Sequence, residues 1–225
     1  MNFFAFCCFN CHHPLAIEHH GFCSQCYKQI KKQPYCGCCG SKLLDYHNGC
    51  GKCIKLNYKW HRIVQVSEYS PLLAEWIHQF KFHKAYHLDQ ALARLLLLAV
   101  KNAQRELFLS LPEIIIPVPL HWQRYWSRGY NQSELIAIHL SRWFNIPLDI
   151  DSLSRIRATS PQRELSAKER KRNLTRAFKY HPKKYYKRVA IVDDVVTTGS
   201  TMNAICQELL KNGVEEIQVW TLARA

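Results

Sequence analysis

Residues 189–201 read VAIVDDVVTTGST: apolar residues, two adjacent carboxylates, then a run of hydroxyls around one glycine. The apolar stretch suits a buried parallel strand, and the carboxyl end of such a strand is where open α/β sheets bind ligands. Asp193 and Asp194 would stand at that mouth, placed to accept hydrogen bonds from vicinal ribose hydroxyls. Thr197, Thr198, Gly199, Ser200 and Thr201 follow just as a helix begins. Their hydroxyls and backbone N–H groups, added to the helix dipole, make a site for a phosphate. Gly199 allows the backbone to approach the anion closely. Taken singly, an acid pair ending a strand also serves as a Mg2+ site, and TTGST also serves as a plain helix cap. Together they fit a 5-phosphorylated ribose, hydroxyls at one end and phosphate at the other, and the order of the whole run is the specific feature.

A second constellation lies upstream. Pro117-Val118-Pro119-Leu120-His121 leads to Arg124 and to Arg128-Gly129-Tyr130-Asn131-Gln132. Arg124 and Arg128 suit bidentate phosphate binding and are candidates for a diphosphate. Downstream, residues 155–188 carry 13 Lys and Arg against 2 Asp and Glu, whereas residues 61–154 are nearly balanced at 9 against 8. Much of the net charge of +14 therefore sits just ahead of the phosphate motif, where it would meet a polyanion, either nucleic acid or a diphosphate, or form a solvated basic face. Arg163, Lys168, Arg170, Lys171 and Arg172 are the candidates for contacting DNA or closing a lid. Phe178, Tyr180, Tyr185 and Tyr186 are interleaved with the cations, and aromatics can stack on bases while cations follow the backbone.

Ten of the eleven cysteines fall within the first 53 residues. Four C-x-x-C pairs run in tandem: Cys8 with Cys11, Cys23 with Cys26, Cys36 with Cys39, and Cys50 with Cys53. Each turn aims two thiolates at one point, so two turns complete a tetrahedral zinc site. Consecutive pairing gives two structural zinc ions; a cross-braced pairing satisfies the same spacing. Such closed sites leave no coordination position for catalysis, and the metal supplies folding energy that a short module lacks. His12, His13, His19, His20 and His47 are expected at the surface, because cysteine already fills both sites.

Positioning these groups requires an α/β scaffold. Residues 63–69 alternate as a strand, Ser70 and Pro71 start a helix, and residues 88–105 form a second amphipathic helix. Residues 114–118 read as a buried strand, 133–144 as a helix, 148–154 as a strand, and 217–222 as the last strand. Residues 120–132 read as a loop. Asn212-Gly213 stops the helix that follows the phosphate motif. Strands alternating with helices predict an open parallel sheet flanked by helices over residues 59–225, preceded by a cysteine-rich zinc-ribbon module over residues 1–58. The segment 155–188 is expected to be a mobile basic arm. The longest apolar run is far short of the roughly 20 residues of a membrane helix. With no cleavable signal evident and cysteines clustered as metal ligands, a cytoplasmic location is expected.

The run DDVVTTGST resembles the phosphoribosyl diphosphate signature of type I phosphoribosyltransferases. With PVPLH, RGYNQ, the FKF segment at residues 80–82, the arm and the tandem C-x-x-C pairs, nearly the whole chain, from Cys8 to the last strand, resembles the ComF family of competence proteins. Trp122 departs from a proline frequent in relatives. The resemblance implies a type I phosphoribosyltransferase-like fold and binding of 5-phosphoribosyl 1-diphosphate with Mg2+. Asp193 and Asp194 would hold the ribose, and residues 197–201 would wrap the 5′-phosphate. It also implies a role in natural transformation, internalising single-stranded DNA with partners such as a competence helicase, at the inner face of the cytoplasmic membrane if peripheral. A metabolic phosphoribosyltransferase acting on a base or amine shares the same motif, but no general base for an acceptor stands out.

Overall fold

The structure is a computed structural model that describes residues 6–17, 20–30, 32–55, 57–83, 85–120, 122–156 and 177–225. Four strands form one parallel sheet: β1 (Arg62–Glu68), β2 (Ile114–Pro117), β5 (Arg188–Val196) and β6 (Glu216–Arg224), in the spatial order β1-β6-β5-β2. Alternate strand residues enter two separate cores. Val64, Ile115, Ala190, Val192 and Leu222 face one side, with helices α3 (Pro71–Phe82), α4 (Asp89–Glu106) and α6 (Gln132–Phe144). Ile63, Ile114, Ile116, Val189 and Ile191 face the other, with helix α7 (Ser200–Lys211). Burial on both faces explains why these strands are apolar almost without interruption.

The cysteine module joins the first of these cores. Cys8, Phe22, Cys26, Ile30 and Tyr35 are buried with Trp76, Leu88 and Leu92 of the α/β unit. The rings of Phe22 and Trp76 stack with centroids 3.8 Å apart. Backbone contacts add to this, since Ile63 N donates to Gly37 O at 2.7 Å and Gln65 Nε2 to Gly40 O at 3.1 Å. The module's short helices are α1 (Ser24–Gln29) and α2 (Gly51–Lys55).

Four sequence expectations change. The segment expected as a loop contains helix α5 (Trp122–Arg128). The strand expected over residues 148–154 is divided: Leu148 bridges Ile115 beside β2, and Leu153–Arg155 (β3) pairs antiparallel with Phe178–Tyr180 (β4). Asp149 causes the break, because its Oδ1 accepts from Asp151 N at 3.1 Å and Ser152 N at 2.9 Å and turns the chain. The strand expected over residues 189–192 runs on to Val196, held by β6. Ser70 precedes α3, with Pro71 opening it, but its side chain makes no capping hydrogen bond.

The basic arm is also redrawn. Arg155 belongs to β3, and Phe178 and Tyr180 are 3% and 2% exposed within the second core. Buried rings cannot stack on nucleic-acid bases, so those two aromatics leave the set of DNA candidates; Tyr185, at 80% exposure, stays. Arg163, Lys168, Arg170, Lys171 and Arg172 lie outside the described residues.

Candidate functional site

The carboxyl ends of β2 and β5 open into a cleft of about 250 Å3, lined by Lys81, Pro119, Arg128, Ser133, Arg155, Asp193, Asp194 and Thr201 among others. Its floor is acidic. Asp193 Oδ1 accepts from Ser133 Oγ at 3.0 Å and from Asp194 N at 3.0 Å. Asp194 is 8% exposed, and its Oδ1 pairs with Lys81 Nζ at 2.8 Å. Burial, and next the charge of Asp194, push the Asp193 carboxyl up to about 7; Lys81 and the Ser133 hydroxyl act against them. Asp193 thus takes up or gives up a proton near neutrality.

Beside the cleft lies a recess of about 40 Å3, lined by Asp193 and residues 195–202. Gly199 turns the chain here with φ of +76° and precedes the first residue of α7. Thr198 Oγ1 lies 2.8 Å from Ser200 Oγ and accepts from Ser200 N at 3.3 Å, which shapes the turn around the helix amino terminus. The glycine also answers a packing demand. A Cβ at Gly199 would lie 2.6 Å from the Trp60 ring, which stacks on Tyr58 at 4.1 Å and donates from Nε1 to Cys38 O at 2.7 Å. The cysteine module therefore reaches, through Trp60, to the back of the hydroxyl turn.

The RGYNQ segment is built as a bracket over the cleft. Gly129 has φ of +82°, a conformation that releases the chain from α5. Tyr130 OH donates to Phe80 O at the end of α3. Asn131 caps α6 by accepting from Ser133 N at 3.1 Å, and its Nδ2 donates to Val118 O at 3.1 Å. Arg128 donates to Gln132 Oε1 at 3.1 Å and lies over the Phe82 ring at 5.0 Å. Of the two expected arginines, Arg128 lines the cleft; Arg124 falls in α5. Lys81, Ser133 and Arg155 are site residues that the sequence reading did not select. Only the FKF segment hinted at Lys81, and no spacing rule connects it to Asp194 across so much chain.

The cysteines form two compact groups: Cys8, Cys11, Cys23 and Cys26, and Cys36, Cys39, Cys50 and Cys53, with all ligand atoms in each group within 4.8 Å of one another. Consecutive pairing is thus the one adopted. Sulfur separations include 3.5 Å for Cys11–Cys23 and Cys36–Cys53, and 3.6 Å for Cys39–Cys50. A tetrahedral four-thiolate site with metal–sulfur bonds of about 2.3 Å needs edges of about 3.8 Å, so both groups are close to metal-ready. Burial raises the Cys8 thiol, but backbone donors at Cys11, Cys23 and Asn10 outweigh it and hold it down to about 6. His12, His13 and His47 are exposed, and neither group includes a histidine among the described residues. Cys7 and Cys38 stand outside both groups.

The parallel sheet, acid pair and hydroxyl turn define a phosphoribosyltransferase domain, and the family model for the phosphoribosyl transferase domain matches residues 131–225. Competence protein F of Haemophilus influenzae is 51% identical over 228 residues, covering 100% of both chains. The DNA utilization protein YhgH of Escherichia coli K12 is 44% identical over 96% of each chain. The chain belongs to the ComF family of competence proteins. A solved purine phosphoribosyltransferase from Pyrococcus horikoshii Ot3 overlaps 59% of this chain and 72% of its own at 24% identity, with a TM-score of 0.36, too distant a superposition to bear on the fold.

Proposed function

We propose that this protein binds 5-phosphoribosyl 1-diphosphate with Mg2+ and handles single-stranded DNA during natural transformation, on the cytoplasmic side of the membrane. The observation that carries the ligand is the pairing of an acidic floor with a hydroxyl-lined helix amino terminus at one end of a parallel sheet. Asp193 and Asp194 hold the ribose hydroxyls, residues 197–201 take the 5′-phosphate, and Arg128, joined by Arg124, takes the diphosphate. The all-oxygen donor set of the two aspartates suits a hard cation such as Mg2+. Lys81 would then exchange a carboxylate partner for phosphate oxygens as the ligand enters.

The names of the relatives, competence protein F and DNA utilization protein, support the DNA role. So does a net charge of +14, since Lys and Arg that neutralise phosphates drive nucleic-acid binding. Two structural zinc ions in the four-cysteine groups fit the donor chemistry and make residues 1–58 a metal-built module on the phosphoribosyl domain of residues 59–225. Among the described residues no helix is long and apolar enough to cross a membrane. A competence helicase and membrane-bound uptake proteins are the natural partners of such a factor.

Isothermal titration of the zinc-loaded protein with phosphoribosyl diphosphate and Mg2+ tests the ligand. Saturable binding that disappears in Asp193→Asn/Asp194→Asn is expected, and binding unaffected by that change would remove the assignment. The same protein should bind single strands in a salt-sensitive way that weakens when Arg170, Lys171 and Arg172 are neutralised.

A further inference from the structure

We propose that the end of α3 and the exposed face of α5 form a stacking platform for single-stranded DNA beside the phosphoribosyl cleft. The inference rests on the reading of the chain as a single-strand binder and says where the bases lie. Trp122, Tyr125 and Trp126 are 62%, 49% and 81% exposed. Their spacing puts them on one side of α5. Phe82 and Tyr86, at 59% and 57% exposure, come from the neighbouring stretch of chain.

The two stretches are held together. Tyr130, just after α5, donates to Phe80 O and meets the Tyr86 ring at 5.7 Å, and Arg128 covers Phe82. Singly exposed apolar residues are ordinary, but several exposed aromatic rings grouped on neighbouring stretches mark an interaction surface. Charge narrows the occupant. Residues 76–88 and 114–133 contain no Asp or Glu, yet carry Lys81, Lys84, Arg124 and Arg128. Exposed flat rings on two stretches whose sequence holds cations and no acids fit a polyanion whose bases are unpaired, because stacking needs free base faces and cations favour phosphates. Location agrees with this, since Lys81, Leu120 and Arg128 line the cleft itself. A strand lying on the platform would therefore run past the mouth of the phosphoribosyl site.

The test uses the full zinc-loaded chain and fluorescence anisotropy of a labelled oligo(dT) of about 16 nucleotides, within the span of typical single-strand sites. Trp122→Ala/Trp126→Ala is expected to weaken single-strand binding by about tenfold or more, given the usual effect of losing a stacked base. Trp122→Phe/Trp126→Phe should retain most of the affinity, and the melting temperature of both variants should match the parent because both rings are mostly in solvent. Unchanged single-strand affinity in the alanine variant would overturn the platform and leave the face as a docking surface for a protein. A loss as large in the phenylalanine variant, or equal loss for a duplex of the same length, would overturn stacking. Failure of the parent protein to bind any single strand would overturn the functional reading itself, a different outcome.

Discussion

Replacing Lys81 with methionine removes a cation from the floor of the cleft while keeping much of the side chain's length and apolar stem. Lys81 Nζ lies 2.8 Å from Asp194 Oδ1, with the two side chains 20% and 11% exposed. Breaking a fully buried pair costs about 3–5 kcal/mol. Here some solvent remains, and the adjacent Asp193 can relieve the repulsion by taking up a proton, so the expected loss is about 2 kcal/mol at pH 8. The pH dependence has a definite sign. A carboxyl raised to about 7 in the folded chain keeps a proton that the unfolded chain has already lost. Its contribution to stability is full below the ordinary carboxylate range and disappears as pH rises through about 7. Lys81 is one of the groups holding Asp193 down, so the variant should move that loss to higher pH. At pH 6 Asp193 is largely protonated in both proteins, and the deficit should shrink to about 1 kcal/mol. Urea unfolding of the metal-loaded proteins at the two pH values, compared at constant m, measures both numbers. An equal deficit at both, or a larger one at pH 6, would refute the coupling of Lys81, Asp194 and Asp193.

Gly199→Ala should cost about 2–4 kcal/mol, since it combines left-handed backbone strain with overpacking against a pinned tryptophan. Ribose 5-phosphate titrations should also lose their signal, whereas a change under about 0.5 kcal/mol would mean that the turn relaxes freely. Chelation should release two metal ions per chain. It should also lower the melting temperature of the whole chain in one transition, because Cys8 and Cys26 share a core with Trp76 and Leu88. A calorimetric trace in which the α/β unit melts as before would contradict that shared core.

Much of this protein was legible along the chain. Parallel strands buried on both faces announce themselves as apolar runs, and residues 114–117 and 189–192 occupy the strands expected of them. The helices over residues 71–82, 89–106 and 132–144 follow from apolar spacing, whereas the Asn131 cap of the last appears only in the structure. Helix α5 was missed because seven residues are too few for a period to show, and its apolar stripe faces solvent instead of a core. The split of residues 148–155 was missed because the side-chain turn at Asp149 competes with a strand pattern that looks continuous.

What the sequence determined by itself is local chemistry: thiolates two residues apart that must converge, a strand leading into two acids, and a glycine among hydroxyls at a helix start. Each depends on covalent geometry over a few residues, so spacing is enough to read it. The tertiary structure decided the rest. It paired Lys81 with Asp194, brought Ser133 to Asp193, closed the cysteines into consecutive groups, and packed them onto the same core as α3 and α4. It also exchanged the fates of the aromatics, burying Phe178 and Tyr180 while exposing Trp122 and Trp126. Those outcomes depend on which faces meet when distant segments pack, and a side chain's type does not say which face it will occupy.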